Sequence, residues 1–88
     1  IIGTPDGEIY INPTGNSALA TAGSGDVLSG FIGGFLAQNL SPLNSTLLGT
    51  YIHGLAAECY TQEKKSDLMV ASDLFEGLRM AINFIKNQ

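Results

Sequence analysis

The sequence predicts an α/β chain, a β-hairpin followed by three helices, and three observations predict it. Strand-forming residues, Ile2 and Ile9-Tyr10-Ile11, flank the turn formers Gly3-Thr4-Pro5-Asp6-Gly7. Apolar residues then recur at helical spacing in three separate stretches. Finally, each of those stretches is introduced by small or capping residues: Gly23-Ser24-Gly25, Ser41-Pro42 and Ser72-Asp73.

The hairpin turns at Pro5-Asp6-Gly7, where Pro presets φ for a turn and Gly accepts a positive φ. Asn12-Pro13-Thr14-Gly15-Asn16 ends regular structure after the second strand. Val27, Leu28, Phe31, Ile32, Phe35 and Leu36 predict a helix over Gly25–Gln38. Ser41 as cap and Pro42 in the first turn start a second helix, which runs to Glu63. Its apolar face is Leu43, Leu47, Leu48, Tyr51, Ile52, Leu55 and Ala56. Glu63-Lys64-Lys65-Ser66-Asp67 is a solvated loop, and Ser72 or Asp73 caps a third helix. The buried stripe there is Leu74, Leu78, Ala81, Ile82 and Ile85. A lone hairpin under one layer of helices makes a poor sheet, so the outline reads as the back end of a larger α/β domain.

Eighty-eight residues bound the chain to one small domain. Cys59 is unpaired, which excludes an internal disulfide and fits a reducing, cytoplasmic setting; it is expected to be a small core residue. The net charge is −4 with only Lys64, Lys65, Arg79 and Lys86 as permanent cations, so no basic stripe for nucleic acid is expected. The longest apolar run, Val27–Ala37, is interrupted by Ser29 and glycines and is too short to cross a bilayer. No His/Cys cluster has zinc spacing, and no metal-ligating residue is assigned within the chain. A piece of a longer protein is the expected context, since Ile1-Ile2 is not an initiator.

The chemistry centres on Gly23-Ser24-Gly25-Asp26. The first amides of a helix lack intrahelical acceptors and carry the positive end of its dipole. Glycines let a ligand come close to that backbone, so the turn suits a phosphate. It matches neither GxxxxGK[ST] nor GxGxxG. Asp26 has two readings. A first-turn acid stabilises a helix by about 0.3–1 kcal/mol and needs no further reason. A carboxylate beside an anion hole is also placed to take the proton of a substrate hydroxyl. Gly30, Gly33 and Gly34, each costing up to about 1 kcal/mol in a helix interior, predict that a neighbouring element or a flat ligand approaches this helix closely.

Asn12-Pro13-Thr14-Gly15-Asn16 together with Ala20-Thr21-Ala22-Gly23-Ser24-Gly25-Asp26-Val27-Leu28-Ser29-Gly30 resembles the signature of the ADP/ATP-dependent NAD(P)H-hydrate dehydratases, which lie in the ribokinase-like superfamily and were once taken for carbohydrate kinases. The likeness continues through Tyr51-Ile52-His53-Gly54-Leu55-Ala56 and Ala71-Ser72-Asp73-Leu74, and so covers nearly the whole chain. GxGD alone would indicate only the superfamily; TGN and YxHGLA narrow it. Two departures stand out. Leu19 replaces a Met, and Ala22 replaces a Gly, restricting φ there.

The resemblance implies a C-terminal portion of a ribokinase-like α/β/α sandwich, spanning residues 1–88. It implies a repair enzyme that phosphorylates the hydroxyl of hydrated NADH or NADPH with ADP or ATP and magnesium, then eliminates phosphate. Asp26 would be the catalytic base; Gly23, Ser24 and Gly25 would hold nucleotide phosphate, and Asn16 would lie by the bound ligands. These residues alone are expected to be inactive, since the chain's cations are far from the glycine turn in sequence and nothing in it would bind an adenine. Apolar faces shaped for absent strands predict self-association, a homo-oligomer. Two other readings remain: a sugar or vitamin kinase of the same superfamily, and a helical interaction module with Asp26 only a cap. His53 reads as a hydrogen-bonded packing histidine, Asp73 as a cap, and Glu58, Glu63 and Glu76 as solvated helix faces.

Overall fold

A computed structural model describes all of residues 1–88. Strands β1 (Ile2–Gly3) and β2 (Ile9–Tyr10) pair antiparallel, with Ile2 opposite Tyr10 and Gly3 opposite Ile9. The turn between them is closed by the Thr4 amide donating to the Glu8 carbonyl at 2.9 Å, and Gly7 takes φ +90°. One 3-10 turn, Ser17–Leu19, follows. Helices α1 (Ser24–Ala37), α2 (Pro42–Lys64) and α3 (Asp73–Lys86) complete the chain.

The hairpin and the three helices therefore lie where the sequence puts them, each helix boundary within about two residues, the ordinary scatter of such limits. Ser41 caps α2 as expected, its hydroxyl accepting from the Asn44 amide at 3.1 Å. At α3 the device differs from simple capping. Ser72 occupies the cap position without a side-chain bond, and the Asp73 carboxylate accepts from the Val70 amide at 2.9 Å.

The core corrects two expectations about which residues are packed. It is built from Ala18, Ala56, Ala57, Met69 and Leu74, with Leu19, Val27 and Tyr60 against it. On α2 the buried run is Ile52 to Ala57, whereas Leu48 and Tyr51 of the predicted face lie at 38% and 37% exposure. The cause is that α2 is approached closely on several sides, and close approach selects small residues. A Cβ on Gly49 would lie 2.7 Å from Ile32 Cγ1 of α1. On Gly54 it would lie 2.7 Å from the Thr14 carbonyl carbon, and Gly77 of α3 abuts the Ala56 backbone. The second correction concerns α3: Leu74 and Ala81 are buried and Leu78 partly so, but Ile82 and Ile85 are exposed, as are Phe75 and Phe84.

At Gly30, Gly33 and Gly34 no element among these residues makes the close approach expected there. A Cβ at any of them would meet nothing within 4 Å. No residue of α1 is fully buried. The accessible surface, 5591 Å², exceeds the roughly 4900 Å² typical of a folded monomer of this mass. Cys59 is partly buried and lies outside the core cluster, not within it as expected; desolvation, then the Glu58 charge, raise its thiol pKa and disfavour the thiolate. No helix is long and apolar enough to cross a membrane.

Candidate active site

The glycine-rich turn becomes the N-terminus of α1 by a left-handed step. Gly23 takes φ +88°, and a Cβ there would also stand 3.2 Å from Ala71 Cβ in the loop before α3. Glycine is thus required at 23 on two grounds, conformation and space. Gly25 differs: its backbone is helical, and a Cβ on it would meet nothing within 4 Å. Its glycine character has no internal cause and leaves the backbone open from outside.

Hydrogen bonding at this terminus is incomplete. The Ser24 amide donates to the Thr21 carbonyl at 3.3 Å, and the Val27 amide to the Gly23 carbonyl at 3.2 Å. Between them the Gly25 and Asp26 amides donate to no backbone or side-chain acceptor of the chain. Two adjacent N–H groups at the positive end of a 14-residue helix form a donor pair for an anion. Asp26 lies in the same turn, exposed, with no hydrogen-bond partner for its carboxylate. A free carboxylate next to two adjacent free donors at a helix N-terminus is an arrangement able to hold an anion and accept a proton together.

The Ser24 side chain is engaged within the chain. Its hydroxyl donates to the Leu19 carbonyl at 2.7 Å, fastening the glycine turn to the 3-10 turn. Asn16 is likewise engaged: its Oδ1 accepts from the Ala18 amide at 3.1 Å, and its Nδ2 donates to Thr61 Oγ1 at 3.0 Å. Asn16 therefore caps the 3-10 turn and ties it to α2, while Ser24 ties that turn to α1. The four residues 23–26 are contiguous, and Asn16 is joined to them through Ser17–Leu19.

The glutamate at position 58 is a correction to the sequence reading. Rather than solvating a helix face, its Oε2 accepts the Gly15 amide at 2.5 Å, holding Gly15 at φ +114°. Thr14 Oγ1 donates to the Tyr51 carbonyl at 2.8 Å, and Asn12 Nδ2 to the Thr50 carbonyl at 3.4 Å. So the whole Asn12–Asn16 turn is bolted along α2. No sequence signal separates Glu58 from Glu63 and Glu76; only the fold brings Gly15 to it.

His53 is the hydrogen-bonded packing histidine the sequence implied. It is 6% exposed, its Nε2 lies 2.9 Å from the Ser24 carbonyl oxygen, and its ring meets Phe31 edge-on at 5.8 Å. Desolvation lowers its pKa, partly offset by the bond to Ser24. The unfolded chain then binds more protons than the folded one as pH falls below the ordinary histidine value of about 6.5. Stability is fully present above that value and is lost as pH falls through the window beneath it. Denaturation at stepped pH is expected to show proton uptake on unfolding there, reduced by up to about one proton in His53→Gln.

The largest surface concavity lies elsewhere, between the hairpin and the start of α2, and is lined by Thr4, Asp6, Glu8 and Pro42 among others. Two carboxylates without a cation make it a poor place for a phosphate.

Residues 1–79 match the NAD(P)H-hydrate dehydratase family. The chain belongs to that family. It is 42% identical over its full length to the bifunctional NAD(P)H-hydrate repair enzyme Nnr of Moorella thermoacetica, covering 17% of that protein. It is 42% identical over 84% of its length to the ADP-dependent (S)-NAD(P)H-hydrate dehydratase of Bacillus subtilis, covering 27% of it. The enzyme of the same name from Neisseria meningitidis is 39% identical across the whole chain, which spans 29% of it. The chain thus spans under a third of the length of these relatives. In this chain the GSGD turn places the unpaired Gly25 and Asp26 amides beside the free Asp26 carboxylate.

Proposed function

We propose that these residues form the C-terminal portion of a ribokinase-like domain that dehydrates hydrated NADH or NADPH at the expense of an adenine nucleotide. The observation that carries this is the pair of unpartnered amides at Gly25 and Asp26, with the Asp26 carboxylate in the same turn. In this reading the amides hold the phosphoryl group being transferred. Asp26 accepts the proton of the substrate hydroxyl as its oxygen attacks phosphorus, and the nucleotide leaves one phosphate shorter. The phosphate ester is then a good leaving group: the C–O bond breaks, a proton is lost from the ring, and the dihydronicotinamide double bond returns.

Gly23 and Gly25 keep the phosphate approach clear, and Ser24 sets the turn. Asn16 would border the ligands while holding the 3-10 turn. ADP is the nucleotide to try first, because two relatives are named for it; ATP is the other. Magnesium, which the resemblance implies, finds no group of three or more His, Cys, Asp or Glu side chains within the chain. Magnesium would therefore take most of its ligands from nucleotide phosphates and water. The small-molecule kinase reading is not favoured, since the relatives carry the names of NAD(P)H-hydrate enzymes. A reducing, cytoplasmic setting fits the single unpaired Cys59. The exposed Phe75, Ile82, Phe84 and Ile85 fit association with further protein surface, a second copy included.

The test is recovery of reduced-nicotinamide absorbance from hydrated NADH by the full-length protein, with ADP or ATP. Recovery with neither, alongside phosphorylation of a sugar or vitamin alcohol, would replace this reading with the kinase. Gly25→Ala adds a specific expectation. Thermal stability should be unchanged or slightly raised, by up to about 1 kcal/mol, while the KM for nucleotide rises about tenfold because the methyl stands between amide and phosphate.

A further inference from the structure

His53 is the chain's one histidine, and packing alone would be served by an apolar ring at its place. Instead its Nε2 is 2.9 Å from the Ser24 carbonyl oxygen. A carbonyl only accepts, so Nε2 carries the hydrogen and donates. The consequence lies in the peptide unit: the Ser24 carbonyl and the Gly25 N–H are the two ends of one planar amide. Fixing one end fixes the direction of the other.

That tether has a task, because the peptide lies at the open end of α1, where its N–H has no partner in the chain and glycine at 25 leaves φ on that side permissive. Donors stabilise developing charge best when they are already aimed and need no reorganisation. The imidazole is itself steadied by Phe31 of α1, edge-on at 79° between ring planes. A donor on the carbonyl oxygen also polarises the amide, strengthening its N–H.

We propose that His53 is a positioning residue for the anion hole, aiming the Gly25 N–H at the nucleotide phosphate through the Ser24–Gly25 peptide. This rests on the function proposed above. The experiment uses the full-length protein and three variants. His53→Gln places an amide N–H where Nε2 stood; His53→Asn is too short to reach Ser24, and His53→Phe keeps the ring without the donor.

The expected result is a nucleotide KM raised about tenfold in the Asn and Phe variants and restored to within about threefold by Gln. The KM for hydrated NADH should stay near wild type in all three. A merely structural histidine would lower the melting temperature and the active fraction but leave the nucleotide KM alone. Wild-type nucleotide KM in the Asn and Phe variants overturns the proposal, and so does a Gln variant as impaired as Phe. If Phe fails to fold, the Asn and Gln pair decides by the same criterion. Absence of nucleotide-dependent turnover in the wild type is read before any variant, and it removes the anion hole and this role together.

Discussion

Asp26→Asn in the full-length protein should reduce nucleotide-dependent recovery of NADH by about 10²–10⁴-fold, the range for removing a positioned general base. Stability should hardly change. The side chain is exposed and without a hydrogen-bond partner, so the loss is limited to its interaction with the helix dipole, about 0.3–1 kcal/mol. The amide of Asn keeps the shape and removes the basic oxygen pair, and the Gly25 and Asp26 backbone donors remain. Nucleotide binding is therefore expected to survive while turnover fails, which separates a base from a phosphate ligand. Rate measurements with saturating ADP, together with a thermal melt, check both halves. Unchanged turnover would reduce Asp26 to a first-turn acid and revive the interaction-module reading.

The second large effect is on stability and sits far from the chemistry in sequence. Gly54→Ala should destabilise by about 1–3 kcal/mol or more, although Ala is the better helix former by about 0.8–1.0 kcal/mol. A Cβ on Gly54 would lie 2.7 Å from the Thr14 carbonyl carbon and 2.8 Å from the Gly15 nitrogen, and both are backbone that cannot rotate away. The turn must move off α2, which strains the Glu58 bond to the Gly15 amide and the Thr14 bond to the Tyr51 carbonyl. A lower urea midpoint at unchanged slope is the expected signature. Gly25→Ala is the control, the same methyl added where nothing lies within 4 Å. Equal midpoints for the two variants would show that α2 does not carry the turn as closely as described.

These two glycines illustrate how unevenly position and purpose can be read from a chain. Gly25 attracts notice because it precedes a carboxylate at a helix start. Gly54 lies in the middle of a helix, within the YxHGLA stretch, where nothing local says what approaches it. Gly30, Gly33 and Gly34 were the glycines that sequence spacing marked for close packing, and in this chain they face open space. A glycine's local signal reports permissive backbone; which surface comes near it depends on elements remote in sequence.

Local chemistry determined the rest of what was legible. Turn formers between β-favouring residues placed the hairpin, and helical periodicity with small or capping residues placed α1, α2 and α3. The GSGD string marked the proposed anion hole and its carboxylate, because unpaired amides, dipole and glycine are properties of four neighbouring residues. Tertiary structure alone decided what each polar side chain does with its bonds. Glu58 meets Gly15 across 43 positions, Asn16 meets Thr61 across 45, and His53 meets the Ser24 carbonyl across 29. Hydrogen bonds over such separations form only once α2 lies against the loops, so no residue's partner can be read from its neighbours in the chain. The same holds for the core, where nearness of backbones selected Gly54 and Ala57 beside Ala56, over the larger Leu48 and Tyr51 that periodicity favoured.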